Sequence, residues 1–160
     1  MSQTNSTDTA GVTILPPLIY VGGLVIGYIL QLLIPFPIVP PVFDVAVRLL
    51  GVVVLFAGGW LVFTGAGSLQ AAGTPMNPHE PSKTLVFAGP YKFTRNPMYL
   101  GMTLLLVGFA FIGNALWPLL AAIPAVWWIQ TQVIAREEAY LEAKFGAPYL
   151  DFKKRVRRWI

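Results

Sequence analysis

Lys83-Thr-Leu-Val-Phe-Ala-Gly-Pro-Tyr-Lys-Phe-Thr-Arg-Asn-Pro-Met-Tyr-Leu-Gly101 is polar, basic and turn-rich, and very apolar segments flank it on both sides. Gly89-Pro90 marks a turn. Pro97 suits the first turn of a helix, where its missing N–H costs nothing. Asn96 is a good N-cap, since its side chain can accept a bond from an orphan N–H. Arg95 and Asn96 are therefore expected at a helix mouth where the chain enters a membrane. Such a mouth carries free N–H groups and a partial positive charge, which suits an anionic ligand group. Taken alone, the stretch reads more simply as a basic loop that obeys membrane topology. A second polar cluster, Arg136-Glu137-Glu138, gives it a possible partner.

The apolar segments set the fold class. Of 160 residues, 56% are hydrophobic and 11% charged, against roughly 25% charged in soluble domains. The chain is expected to be an all-α polytopic membrane protein. It would have about four transmembrane helices and a cytoplasmic C-terminal helical extension. The spans are placed at about 14–34, 42–64, 98–113 and 115–135. A flexible tail over 1–13 precedes this single membrane domain, a cytoplasmic loop fills 65–96, and a helix with a basic tail fills 136–160. The first run has about the ~20 residues a bilayer requires, and Gly22, Gly23 and Gly27 along it would allow close helix approach. Four prolines between Pro35 and Pro41 end it. Asp44 and Arg48, four apart, can pair on one face of the next helix.

Composition also excludes chemistries. There is no cysteine, so no disulfide framework and no thiolate, and His79 is the only histidine. No metal site is expected, and no long basic surface with interleaved aromatics suggests nucleic acid. Lys83, Lys92 and Arg95 lie between spans two and three, and seven Lys and Arg follow span four, from Arg136 to Arg158. By the positive-inside rule these segments and both termini are cytoplasmic, in a multi-pass protein of the cell (inner) membrane.

Topology brings the polar clusters together. Gly113-Asn114 leaves room for only a tight turn, so spans three and four form an antiparallel hairpin. Arg95, Asn96 and Tyr99 at one end then reach the depth of Arg136, Glu137 and Glu138 at the other. The basic loop and tail could fold over them as a lid. Glu137 and Glu138 read otherwise as a solvated helix face, and Gly65 and Gly67 as helix packing or as backbone open to a ligand. Trp128 suits a membrane interface or a groove wall.

Two ordered motifs carry a family resemblance. Gly-Pro-Tyr-x-x-x-Arg-Asn-Pro-Met-Tyr-x-Gly runs from Gly89 to Gly101, and Glu-Glu-x-x-Leu-x-x-x-Phe-Gly-x-x-Tyr from Glu137 to Tyr149. With the basic tail they resemble the isoprenylcysteine carboxyl methyltransferase and phospholipid N-methyltransferase group, over roughly Lys83 to Arg158. The resemblance implies a membrane-embedded methyltransferase that uses S-adenosyl-L-methionine on an amphiphilic, lipid-like acceptor, by carboxyl O- or amine N-methylation. It implies that Lys83, Leu85, Val86, Tyr91, Asn96, Pro97, Met98, Tyr99 and Glu137 or Glu138 bind the cofactor, with Gly65 and Gly67 as a loosely matching Gly-x-Gly. Arg95, Glu137 and Glu138 are the catalytic candidates; Arg136 and Trp128 are the substrate candidates. Lys83 and Asn96 replace histidines of the carboxyl methyltransferases, and Asn-Pro-Met-Tyr is similar to the phospholipid enzymes. Oligomeric state is not readable. Two other readings are an NADPH-dependent membrane sterol or steroid reductase, which resembles the same half, and a non-catalytic scaffold of the same fold.

Overall fold

The computed structural model describes residues 8–160. Six α-helices follow in order: α1 (Pro16–Leu33), α2 (Asp44–Ala71), α3 (Pro97–Ile112), α4 (Leu116–Trp128), α5 (Ala135–Phe145) and α6 (Ala147–Arg155). A π-helical segment, Ile129–Ile134, joins α4 to α5 into one continuous rod. No sheet forms among the described residues; a lone bridge pairs Thr94 with Arg157. The α1 and α2 helices and the α4–α5 rod are each long and apolar enough to cross a membrane, and α3 is a shorter apolar helix of 16 residues. The apolar part of the rod ends at Ile134. Its extension α5, with Arg136, Glu137, Glu138, Glu142 and Lys144, stands beyond the span.

The layers follow from where small residues sit. Helix α3 packs between α2 and α4, and α1 lies mainly against α4. Gly51, Gly58 and Gly65 form a stripe at sevenfold spacing on α2, and Gly101 and Gly108 match it on α3. A Cβ on Gly58 would lie 2.7 Å from the Gly101 carbonyl, and one on Gly108 would lie 2.8 Å from the Leu55 nitrogen. The backbones thus touch directly, the contact by which helices associate in lipid. Gly27 of α1 meets the backbone of Pro118 in the same way, while Gly22 faces open space. Phe56, Trp60 and Phe63 point outward from α2 with roughly 70% or more of their surface free, a face made for hydrocarbon rather than water.

Helix α2 runs seven residues beyond the expected end at residue 64. The reason is local: the Thr64 hydroxyl donates to the Trp60 carbonyl at 2.7 Å and Ser68 to Thr64 at 2.8 Å. These bonds absorb the hydroxyls on either side of the expected boundary, Thr64 within the span and Ser68 in the expected loop. At the C-terminal end, Gly146 (φ +60°) stops α5, and the basic tail begins as a second short helix, α6. After Arg155 the chain is extended and returns to the start of α3.

Asn114 holds the end of the bundle remote from Arg95. It adopts φ +46° in the α3–α4 turn. Its Oδ1 accepts from the Ile38 and Val39 N–H groups, and its Nδ2 donates to the Val39 carbonyl and to Asp44 Oδ1, all within 3.0 Å. Asp44 in turn pairs with Arg48 at 2.7 Å, as its spacing predicts. Asn114→Ala leaves several of these groups without a partner and is expected to lower stability by roughly 2–3 kcal/mol. Thermal unfolding in detergent measures it, and an unchanged midpoint refutes this role.

Of the segment expected as a tail, residues 1–7 lie outside the described residues. From Asp8 the chain runs along α5. Lys144 Nζ reaches both Asp8 carboxylate oxygens at 2.7 and 2.8 Å, Arg136 Nη1 donates to the Gly11 carbonyl at 2.8 Å, and Val12 is buried in the core with Tyr20, Leu106 and Ile129.

Candidate active site

Around the first turn of α3 and the start of α5 lies a cavity of about 400 Å³, within the size range of small-molecule sites. The expected site residues Leu85, Val86, Tyr91, Arg95, Asn96, Pro97, Met98, Tyr99, Glu137 and Glu138 all line it. Tyr99 is placed by its helix: Tyr20 of α1 donates to its carbonyl at 3.2 Å, and Thr103 donates to the same carbonyl at 2.9 Å. From that turn the Tyr99 hydroxyl donates to Glu137 Oε1 at 2.6 Å, across 38 positions of sequence. The two polar clusters therefore meet.

The adjacent carboxylates have different surroundings. Glu138 is buried and clamped by two guanidinium groups: Arg95 Nη2 at 3.0 Å from Oε1, and Arg158 through Nε to Oε1 at 3.0 Å and Nη2 to Oε2 at 2.7 Å. Among the described residues Glu137 has no cationic partner, only the Tyr99 hydroxyl. Burial pushes its carboxyl up to about 7, against the opposing hydrogen bond from Tyr99. Burial also raises the phenols of Tyr91 and Tyr149, with the charge of Glu137 adding to the first and that of Glu138 to the second. Arg95 is nine-tenths buried, and its Nε has no acceptor among the described residues.

A carboxyl raised above its unfolded value binds its proton more tightly when folded. The native state therefore gains relative stability at low pH and loses it as pH climbs. For Glu137 the loss spans the window from about 4.5 to about 7 and amounts to about 3 kcal/mol at most. Unfolding of the detergent-solubilised protein at pH 5 and pH 8 is expected to show this slope, and Glu137→Gln to flatten it. An unchanged slope in the variant refutes the assignment.

Other expected residues stand elsewhere. Lys83 is exposed and gives the site only its backbone, whose N–H donates to Thr74 Oγ1 at 3.3 Å. Gly65 is filled by packing, with Met98 Cγ only 3.0 Å from where its Cβ would be, and Gly67 lines a separate shallow groove with Ser68, Phe87 and Gly89. Arg136 turns to Gly11 and Gln132, and Trp128 lies outside the cavity. Asn96 does start α3 but its side chain caps nothing: Nδ2 donates instead to the Arg158 carbonyl at 3.0 Å. Residues missed in the sequence are Arg158, Phe152, Tyr140 and Thr74. Phe152 had a signal, standing one turn after Tyr149 on the apolar side of a basic helix. Arg158 had none among its basic neighbours.

One wall is apolar. Leu15, Pro16 and Pro17 at the start of α1 face Met76 and Pro78 of the long loop, with Met102 of α3. The site thus joins a charged half, able to hold a zwitterion, to a half suited to hydrocarbon.

The sequence profile of the phospholipid methyltransferase family matches residues 46–148, more than half of the chain and all of α3 to α5. An uncharacterized protein of Haemophilus influenzae (strain ATCC 51907 / DSM 11121 / KW20 / Rd) is 45% identical over 65 residues, which is 39% of this chain and the whole of that protein. No solved structure gives a significant match. With the first ordered motif and all but the last residue of the second inside the matched region, and the two meeting at one cavity, this membrane protein belongs to the phospholipid methyltransferase family.

Proposed function

We propose that the protein transfers a methyl group from S-adenosyl-L-methionine to an amine on a lipid-like amphiphile. The observation that carries this reading is one cavity lined by a half-buried carboxylate without a cationic partner among the described residues, a buried guanidinium with an unpaired N–H, and an apolar wall. The donor set fits the cofactor. Glu137 accepts from its ammonium, Arg95 and the uncapped amides of α3 take its carboxylate, and Tyr91, Tyr149 and Phe152 offer faces for adenine. When bound, it supplies an electrophilic methyl on a sulfonium sulfur, which leaves as a neutral thioether when the acceptor's lone pair attacks in line.

The chain's own residues do the rest. The apolar wall admits the acceptor's hydrocarbon from the side, and the charged half fixes the cofactor, so the reacting atoms are held in line. Glu137 also takes the proton that a protonated amine must lose before it attacks. In the site without cofactor this carboxyl is raised to about 7, and an ammonium beside it favours the ionised form that can accept a proton. Lys and Arg crowd the segments around this end, supporting its assignment to the cytoplasmic side of the cell (inner) membrane.

The test is a labelled methyl donor supplied to the protein in vesicles containing aminophospholipid, followed by mass spectrometry of the lipid extract, with calorimetry of cofactor binding alongside. Label in a lipid amine supports the proposal. Binding of NADPH in place of S-adenosyl-L-methionine, or label found only in water-soluble products, refutes it.

A further inference from the structure

Arg158 lies in the last three residues, outside every helix, yet it ties together both polar elements of the cavity. Its side chain makes the bidentate contact to Glu138 described above, the geometry in which arginine binds a carboxylate most firmly. Its backbone carbonyl accepts from Thr94 Oγ1 at 3.1 Å and from Asn96 Nδ2 at 3.0 Å. Anchors stand on either side. The Arg95 N–H donates to the Arg157 carbonyl at 3.0 Å, and Trp159 Nε1 donates to Gln130 Oε1 of the π segment at 2.9 Å while its ring packs on the core. The chain end is a strap held at three successive residues.

Two consequences concern anion binding. Because Arg158 satisfies both oxygens of Glu138, Arg95 is held to Oε1 by Nη2 alone. Its Nε stays free in a side chain that is nine-tenths buried and lines the cavity. Asn96 Nδ2 is turned to the Arg158 carbonyl, its side chain does not cap α3, and the amides of the first turn have no side-chain partner. One residue, Arg158, contacts the neighbours of both sets of donors, Glu138 and Asn96.

We propose that Arg158 is a positioning residue that completes a carboxylate subsite from outside the cavity. It orients Arg95 through Glu138 and keeps the mouth of α3 uncapped through Asn96. The inference rests on the reading of the cavity as a cofactor site, and it assigns the cofactor's carboxylate end to this corner. Arg158 itself touches neither the cofactor nor the acceptor.

The experiment uses the full chain in lipid nanodiscs and two probes. S-adenosylhomocysteine carries the aminocarboxylate; 5′-methylthioadenosine has the same nucleoside and thioether without it. Arg158→Gln is expected to weaken S-adenosylhomocysteine about tenfold and leave methylthioadenosine within about twofold, as loss of charge-assisted bonds at one end of a ligand would. Arg158→Lys restores part of the loss, and Lys154→Gln, an exposed neighbour, behaves as wild type. Equal losses for both probes, or none for either, overturn the role of Arg158 while the cofactor reading stands. Wild-type protein that binds neither probe overturns the cofactor reading and this proposal with it.

Discussion

Glu137→Gln is expected to lower kcat/KM for methyl transfer by at least about a hundredfold, the range seen when a positioned acid–base group is removed. The change is isosteric and the amide still accepts from Tyr99, so the cavity keeps its shape. What disappears is the carboxylate bonded to Tyr99, which has no cationic partner among the described residues. Tyr99→Phe removes the 2.6 Å bond but leaves the charge, and should cost about tenfold through misorientation of the carboxylate. Because the two residues act as a unit, the double variant should be little worse than Glu137→Gln alone. Glu138→Gln should behave differently: it leaves Arg95 and Arg158 facing a neutral group, so stability and cofactor affinity fall together. The measurement is initial rate with labelled methyl donor on protein whose unfolding midpoint has been checked. A folded Glu137→Gln enzyme within threefold of wild type would sink the assignment, and an intact Glu137→Gln beside a dead but folded Glu138→Gln would transfer the role to the clamped residue.

The architecture was legible where a single physical constraint dominates. Apolar runs of bilayer length stand out because nothing else tolerates them, and the Gly113-Asn114 turn forces a hairpin because two residues cannot bridge anything wider. From that hairpin alone the meeting of Tyr99 with Glu137 follows. The length of α2 was not legible, because Ser68 reads as a loop former until its hydroxyl finds the carbonyl one turn back. The π segment was hidden too. Ile129-Gln-Thr-Gln-Val-Ile134 looks like ordinary helix, and the wider turn depends on what the buried Ile129, Val133 and Ile134 pack against. Such wide turns gather at functional sites, and here one is held to the strap by Trp159 and directly precedes α5 with its two carboxylates. Arg158 was invisible for a different reason. In a basic run each charge is equivalent on paper, and only the return of the chain to Thr94 and Asn96 distinguishes one of them.

The largest structural effect is expected at the α2–α3 contact. Gly101→Ala and Gly58→Ala each place a methyl group 2.7 Å from a carbonyl oxygen of the facing helix, with Val62 or Leu105 backbone nitrogens within 2.9 Å. Neither obstacle is a flexible side chain, so the helices must separate, and each variant should lose about 2–3 kcal/mol. Gly59→Ala is the internal control: it sits on the same helix with nothing within 4 Å of the new methyl, so it should be neutral or stabilise by about 0.5–1 kcal/mol through helix propensity. The double variant Gly58→Ala with Gly101→Ala should cost less than the sum, because one separation relieves both clashes. Activity should fall with stability in Gly101→Ala for a geometric reason. Helix α3 carries Tyr99 at its first turn, and moving it off α2 shifts that hydroxyl relative to Glu137 on the far side of the cavity, when misplacement by an ångström costs about a hundredfold in rate. Thermal unfolding in detergent and transfer rates on the same preparations test both halves. If Gly101→Ala melts with Gly59→Ala, the glycine contact is not what sets the helix spacing; if it melts early yet turns over normally, the site does not depend on that spacing.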